Sequence, residues 1–157
     1  MRPIWGILAI LLAAVTSACG DGGCYDNGSA LPLAQFRISG TNTKTSVNPV
    51  TIMGIGAPND SVLIDTTSKS EFYLPLRATV NETRYRISFG DIADTITLRY
   101  TPIPRFVNAE CGAMYFFRLQ HVGTTTNVLD SIAIAVSDSL VTNAVRPSLY
   151  LYLTKNG

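Results

Sequence analysis

Thr83-Arg84-Tyr85-Arg86-Ile87-Ser88-Phe89, then Gly90-Asp91, then Thr95-Ile96-Thr97-Leu98-Arg99-Tyr100 is the stretch that decides the fold. Successive side chains of an extended strand point to opposite faces. Tyr85, Ile87 and Phe89 therefore fall on one face and Arg84 and Arg86 on the other. Ile92 and the 95–100 run repeat that alternation. Two alternating runs around a short Gly-Asp turn region predict a β-hairpin.

The pattern continues in both directions. Upstream, Ala34–Ser39 and Val50–Ile55 alternate in part, separated by a Thr/Ser/Asn loop. Gly56-Ala57-Pro58-Asn59-Asp60 turns the chain, and Val62-Leu63-Ile64 is a short candidate for a buried strand. Glu71–Arg77 is extended, and its Pro75 argues for an edge strand or a bulge. Downstream, Pro102-Ile103-Pro104 is stiff and unsuited to a central strand. Ala113–His121 is a long apolar-aromatic strand, Gly123–Asn127 a turn, and Leu129–Val136 directs Ile132, Ile134 and Val136 inward. Leu149-Tyr150-Leu151-Tyr152-Leu153 closes the domain, leucines on one face and tyrosines on the other. No stretch after the N-terminal segment sustains a helical period with caps. Eight or nine short strands at regular turn spacings predict an all-β fold, an antiparallel β-sandwich, with a β-barrel as the alternative.

The N-terminus has another character. Met1-Arg2-Pro3 leads into an apolar run from Ile4 to Val15, which is 12 residues, and then Thr16-Ser17-Ala18-Cys19-Gly20. A membrane-spanning helix needs about 20 apolar residues. One positive charge, a short apolar core and small residues at the cut make a secretory signal. A cysteine directly after them makes it a lipoprotein signal, so Cys19 is the expected lipidation site and residues 1–18 the removed segment. Residues 19–32 read as lipidated Cys and tether, and 33–157 as a single β domain. Asp21-Gly22-Gly23 carries one acid rather than the acidic run that would suggest surface display. The expected location is an outer membrane, periplasmic face rather than cell surface.

Removing 18 residues from 157 leaves 139, the size of one domain. Net charge is +1 and the Lys and Arg residues are scattered, which removes the electrostatic case for nucleic acid. With Cys19 used by lipid, Cys24 and Cys111 remain as an even pair in an oxidising compartment. A disulfide is the default reading over two free thiols or a metal site.

The run Phe106-Val107-Asn108-Ala109-Glu110-Cys111-Gly112 resembles the Phe/Tyr-Val-Ser-x-x-Cys-Gly motif of a family of small Bacteroidota lipoproteins known only as a domain of unknown function. Leu74-Pro75-Leu76-Arg77 resembles that family's Leu-Pro-Leu segment. Leu129-Asp130-Ser131-Ile132, the aliphatic-aromatic last strand and a cysteine just past the lipid site, here Cys24, are also similar. Ala113 departs from the pattern, standing where the family usually carries an aromatic residue. The resemblance implies a lipid-anchored β domain with a Cys24–Cys111 pair, and implies no activity.

Little chemistry accompanies this scaffold. His121 is the single histidine, and there is no Gly-x-Ser-x-Gly elbow to make it part of a nucleophile triad. Asn59, Asp60 and Asp65 have the residue types of a calcium site but no twelve-residue calcium loop, and turn chemistry explains them better. No cofactor or metal is expected. Five Asp-Ser/Thr pairs precede an aliphatic residue or Thr, which makes Ser61, Thr66, Thr95, Ser131 and Ser139 candidate O-glycosylation acceptors. The expected function is a non-enzymatic binding or structural module with an unidentified protein or glycan partner and Tyr150 and Tyr152 as candidate contacts. The alternatives are an envelope hydrolase with a loop-built site around His121 and an outer-membrane assembly accessory. A pocket gathering His121 with an acid would favour catalysis; a flat aromatic patch would favour binding.

Overall fold

A computed structural model describes residues 29–57, 61–108, 112–142 and 144–154. The strands in chain order are β1 (Leu33–Ile38), β2 (Val47–Ile55), β3 (Val62–Lys69), β4 (Glu71–Tyr73), β5 (Glu82–Phe89), β6 (Ile92–Asn108), β7 (Gly112–Thr124), β8 (Leu129–Ile134), β9 (Leu140–Val141) and β10 (Pro147–Leu153). They form a four-stranded sheet, β4-β1-β10-β8, and a six-stranded sheet, β3-β2-β5-β6-β7-β9. The expected two-sheet β fold is thus present. Ten strands replace eight or nine because β4 and β9 are very short.

The expected hairpin is β5–β6, with Phe89 opposite Ile92 and only Gly90-Asp91 between them. Gly90 has φ +66°. A glycine at the first central position, with positive φ there alone, is the pattern of a II′ loop, whose twist matches that of the flanking strands. Tyr85, Ile87, Ile96, Leu98 and Tyr100 turn into the core. Phe36, Leu149 and Leu151 of the small sheet meet them there. Phe36 lies 5.3 Å from Phe72 within its own sheet and reaches across to Phe89 of the large sheet at 6.1 Å between centroids. The edge-to-face pair Tyr100–Phe117, at 5.3 Å, fills the far end.

Three sequence expectations change. Among the described strands every pairing is antiparallel except β1–β10, which is parallel, and an isolated bridge from Ser29 to Tyr115 is parallel too; a parallel pair needs a long connection, and for β1–β10 the rest of the domain supplies it. Val62 and Leu63 are exposed rather than buried, since β3 is the outer edge of the large sheet. That edge is broken by a bulge in which Asp65 and Thr66 stand between the rungs Val50–Thr67 and Ile52–Ile64, a device that blunts unpaired edges. Pro102 and Pro104 lie inside β6, not outside a strand. The reason is that β5 pairs with β6 only as far as Arg99, with the Tyr100 amide still donating to the Asn81 carbonyl at 2.9 Å, so from Thr101 onward no described strand pairs with that side of β6. Two positions apart, both prolines turn their donorless nitrogens to the same side.

The chain crosses between sheets repeatedly, and polar latches hold the crossings. Leu74-Pro75-Leu76-Arg77 carries the chain from β4 to β5. Leu74 and Leu76 are buried while Pro75 is exposed. Tyr85 donates its hydroxyl to the Pro75 carbonyl, and Tyr100 donates to the Arg77 carbonyl at 3.1 Å while accepting the Arg77 amide at 3.2 Å. Burial pushes the Tyr85 phenol far above its ordinary pKa, with the neighbouring Tyr100 adding to the rise.

The second latch is Asp94, fully buried at the start of β6. One carboxylate oxygen accepts the Thr125 hydroxyl at 2.6 Å and the Asn127 amide at 2.8 Å; the other accepts the Val128 and Leu129 amides at 2.8 and 2.9 Å. This holds the connection from β7 in the large sheet to β8 in the small one. Burial alone would raise the Asp94 pKa, but the Thr125 hydroxyl and the three amides outweigh it and hold the carboxyl below the usual range.

Candidate functional site

The outer face of the four-stranded sheet is where the tyrosines of β10 arrive. Leu149 and Leu151 face the core, so Tyr150 and Tyr152 face out, half-buried. Their rings meet edge-to-face at 6.3 Å. Parallel pairing places Gln35 beside Tyr150 and Arg37 beside Tyr152. The Arg37 guanidinium lies 3.7 Å from the Tyr150 ring centroid, a cation–π contact.

Hydrogen bonds fix the rest of this face. Arg37 donates Nε to Gln35 Oε1 at 3.0 Å and Nη1 to Asn42 Oδ1 at 2.8 Å. The Tyr152 hydroxyl donates to the same Asn42 oxygen at 3.1 Å. Asn42 reaches them because the β1–β2 loop folds back and Asn42 itself takes φ +58°, a conformation asparagine tolerates well. Toward β4, Gln35 donates to Glu71 at 3.2 Å and Lys44 pairs with the same Glu71 oxygen at 2.7 Å. The Lys44 and Gln35 hydrogen bonds hold the Glu71 carboxyl below its ordinary pKa. Tyr73, 47 % exposed, stands at the β4 edge. The face combines aromatic rings, amides and both charges, with its main side chains held in place. Sequence alternation signalled the two tyrosines. Gln35, Arg37, Asn42 and Glu71 carried no such signal, because only the β1–β10 pairing and the folded-back loop bring them together.

His121 lies elsewhere, on the outer face of the six-stranded sheet, exposed and opposite Arg99. It borders a shallow open depression with Thr95, Thr97, Arg99 and Gly123, and none of the described residues lining it is an acid. Arg99 is engaged with Glu82 at 2.8 Å. Acyl or glycosyl hydrolysis by a histidine requires a nucleophile or a carboxylate within reach, and the lining supplies only threonines. Among the described residues no group of three or more His, Cys, Asp or Glu side chains is arranged to hold a metal ion. Asn59 and Asp60 lie outside the described residues.

The candidate glycan acceptors divide by accessibility. Ser61, Thr66 and Ser131 are exposed; Thr95 and Ser139 are partly buried. Thr66 donates to Asp65 at 2.9 Å and Ser131 to Asp130 at 3.4 Å. The acid preceding Thr95 is the buried Asp94. Cys19, Cys24 and Cys111, the expected lipid site and disulfide, lie outside the described residues.

Residues 49–153 match a family of unknown function, DUF6452. The chain belongs to that family. No curated protein and no solved structure matches it. The DUF6452 match spans the Leu-Pro-Leu crossing, both latches and the tyrosines of β10, in accord with the resemblance seen in the sequence. It begins after Arg37 and Asn42, so half of the tyrosine network lies upstream of it.

Proposed function

We propose that this chain is a lipid-anchored envelope protein that captures a protein or glycan partner on the outer face of its four-stranded sheet, at the periplasmic side of an outer membrane. The observation that carries the reading is the pre-set tyrosine face. Tyr150 and Tyr152 are held by Arg37 and Asn42 before any partner arrives, so capture freezes few rotamers; each immobilised side chain otherwise costs about 0.5–1.5 kcal/mol. Aromatic rings beside adaptable amides are the composition of binding faces. The hydrolase alternative draws less support, because none of the described residues lining the depression beside His121 is an acid. The lipoprotein signal and the paired cysteines support the envelope location.

Paired capture and melting experiments test it. The unsubstituted protein and Tyr150→Ala/Tyr152→Ala are used to capture partners from detergent-solubilised native membranes. The double variant should lose the recovered partner while its Tm falls by no more than a few degrees. Equal capture would move the binding face elsewhere. Turnover on ester, peptide or glycoside substrates that disappears in His121→Ala would overturn the non-enzymatic reading.

A further inference from the structure

The β6–β7 hairpin runs on past the sheet. Beyond Tyr100 its β6 side has no strand partner among the described residues, and the base of the extension is still packed, with Phe117 buried and paired to β9; toward the tip of this arm Ile103 faces Phe116, Pro104 faces Tyr115, Arg105 faces Met114 and Phe106 faces Ala113. Phe106 is 76 % exposed. Its cross-strand neighbour is Ala113, so no side chain of comparable size covers it from that position. The described arm, 101–108 and 112–117, carries one charge, Arg105, whose guanidinium lies 5.9 Å from the Phe116 ring centroid. The sequence adds Glu110 between the two strands.

The second observation is where the tether joins. Ser29 forms a parallel bridge with Tyr115, and the Ala30 amide donates to the Tyr115 carbonyl at 2.7 Å. β7 runs away from the hairpin tip, and Ser29, as a parallel partner, shares its direction. Ser29 stands ten positions after Cys19, a span of at most about 34 Å. An anchor at Cys19 is therefore within that distance of Ser29, which pairs with the same hairpin that carries the bare Phe106.

We infer that the β6–β7 arm is the protein's membrane-facing end, with Phe106 seated in the lipid headgroup region; this rests on the lipid-anchor reading above. Aromatic rings beside an arginine suit that depth. The open side of β6 keeps the arm out of the hydrocarbon, where unpaired backbone groups are not tolerated.

Fluorescence quenching tests the placement. The only tryptophan, Trp5, belongs to the expected signal segment, so the unsubstituted protein supplies the background. Full-length Phe106→Trp, purified with its anchor, is reconstituted into phosphatidylethanolamine–phosphatidylglycerol vesicles with and without brominated chains. Tyr152→Trp serves as the distant control, and Ala113→Trp is a second probe across the same rung should Phe106→Trp misfold. We expect the arm tryptophan to emit at shorter wavelength and lose most of its intensity to brominated lipid, while the Tyr152→Trp signal is unchanged. If the protein floats with the vesicles and neither arm probe is quenched, the arm placement is overturned and the anchor stands. If the unsubstituted protein does not float, the anchor fails and takes the placement with it. Cys19→Ala should not float. If it does, the lipid is not what holds the protein, and the arm probes still decide whether Phe106 meets the bilayer.

Discussion

Asp94→Asn isolates the latch that carries the chain from one sheet to the other. The wild-type carboxylate accepts four hydrogen bonds, two on each oxygen. An asparagine keeps one oxygen and presents an NH2 group where the other was. It can satisfy the Val128 and Leu129 amides with that oxygen and donate to the Thr125 hydroxyl, which is free to turn. The Asn127 amide is then left facing another donor. One orphaned buried amide costs about 1–3 kcal/mol, and the three bonds that remain fall from the charge-assisted range of about 1.5–3 kcal/mol to about 1 kcal/mol each. The lower end of these ranges gives an expected loss of about 3 kcal/mol at neutral pH. Urea unfolding of both proteins across a pH series measures it. The folded Asp94 pKa is depressed, so the stabilisation is fully present above the unfolded value of about 4 and is lost as pH falls through the lower folded value. The gap between wild type and Asp94→Asn should therefore be constant from neutral pH down to about 4 and shrink below it. A variant as stable as wild type at neutral pH, or a gap that widens in acid, would refute the latch.

Two further outcomes follow from the same geometry. Cys24 lies five residues before Ser29 and Cys111 four before Tyr115, and Ser29 and Tyr115 are bridged, so non-reducing peptide mapping should find Cys24 joined to Cys111. Breaking that bond should lower stability by about 2–5 kcal/mol, and two alkylatable thiols in native protein would refute it. Glycan mass, if carried in the native host, should disappear when the exposed Ser61, Thr66 and Ser131 are replaced by Ala; retention that depends on Thr95 or Ser139 would contradict the accessibility order.

Periodicity made the strands legible and left the polar design hidden. Tyr85, Ile87, Ile96 and Leu98 could be assigned to the core because a strand's side chains alternate without ambiguity. The exposed edge at Val62 and Leu63 could not be, since three apolar residues read the same on an inner or outer strand. The β6 prolines argue against a central strand, but sequence does not show that β6 runs on through them after β5 has stopped. Tyr150 and Tyr152 were visible as a face, but their partners come from β1 and from the loop after it, more than a hundred residues earlier in the chain. Asp94 looked like one of five Asp-Ser/Thr pairs. Its burial depends on the 125–129 segment folding over it, and no local pattern announces that.

The Asp94 latch and the tyrosine face share no hydrogen-bonding side chain, so removing the Tyr150 and Tyr152 rings takes no bond from the Asp94 cage. The two are connected instead through β8. Leu129, whose amide Asp94 holds, opens β8, and β8 pairs with β10 through rungs that include Ser131–Tyr152 and Ala133–Tyr150. Releasing that connection frees the strand that flanks both tyrosines, while β1 still holds β10 from the other side. A change at Asp94 should therefore weaken partner capture by lowering the population of an ordered face, an effect that is reduced when a ligand or low temperature restores that order. A change at the tyrosines should weaken capture equally under all conditions that keep the protein folded. That difference separates a residue that supports the face from one that forms it.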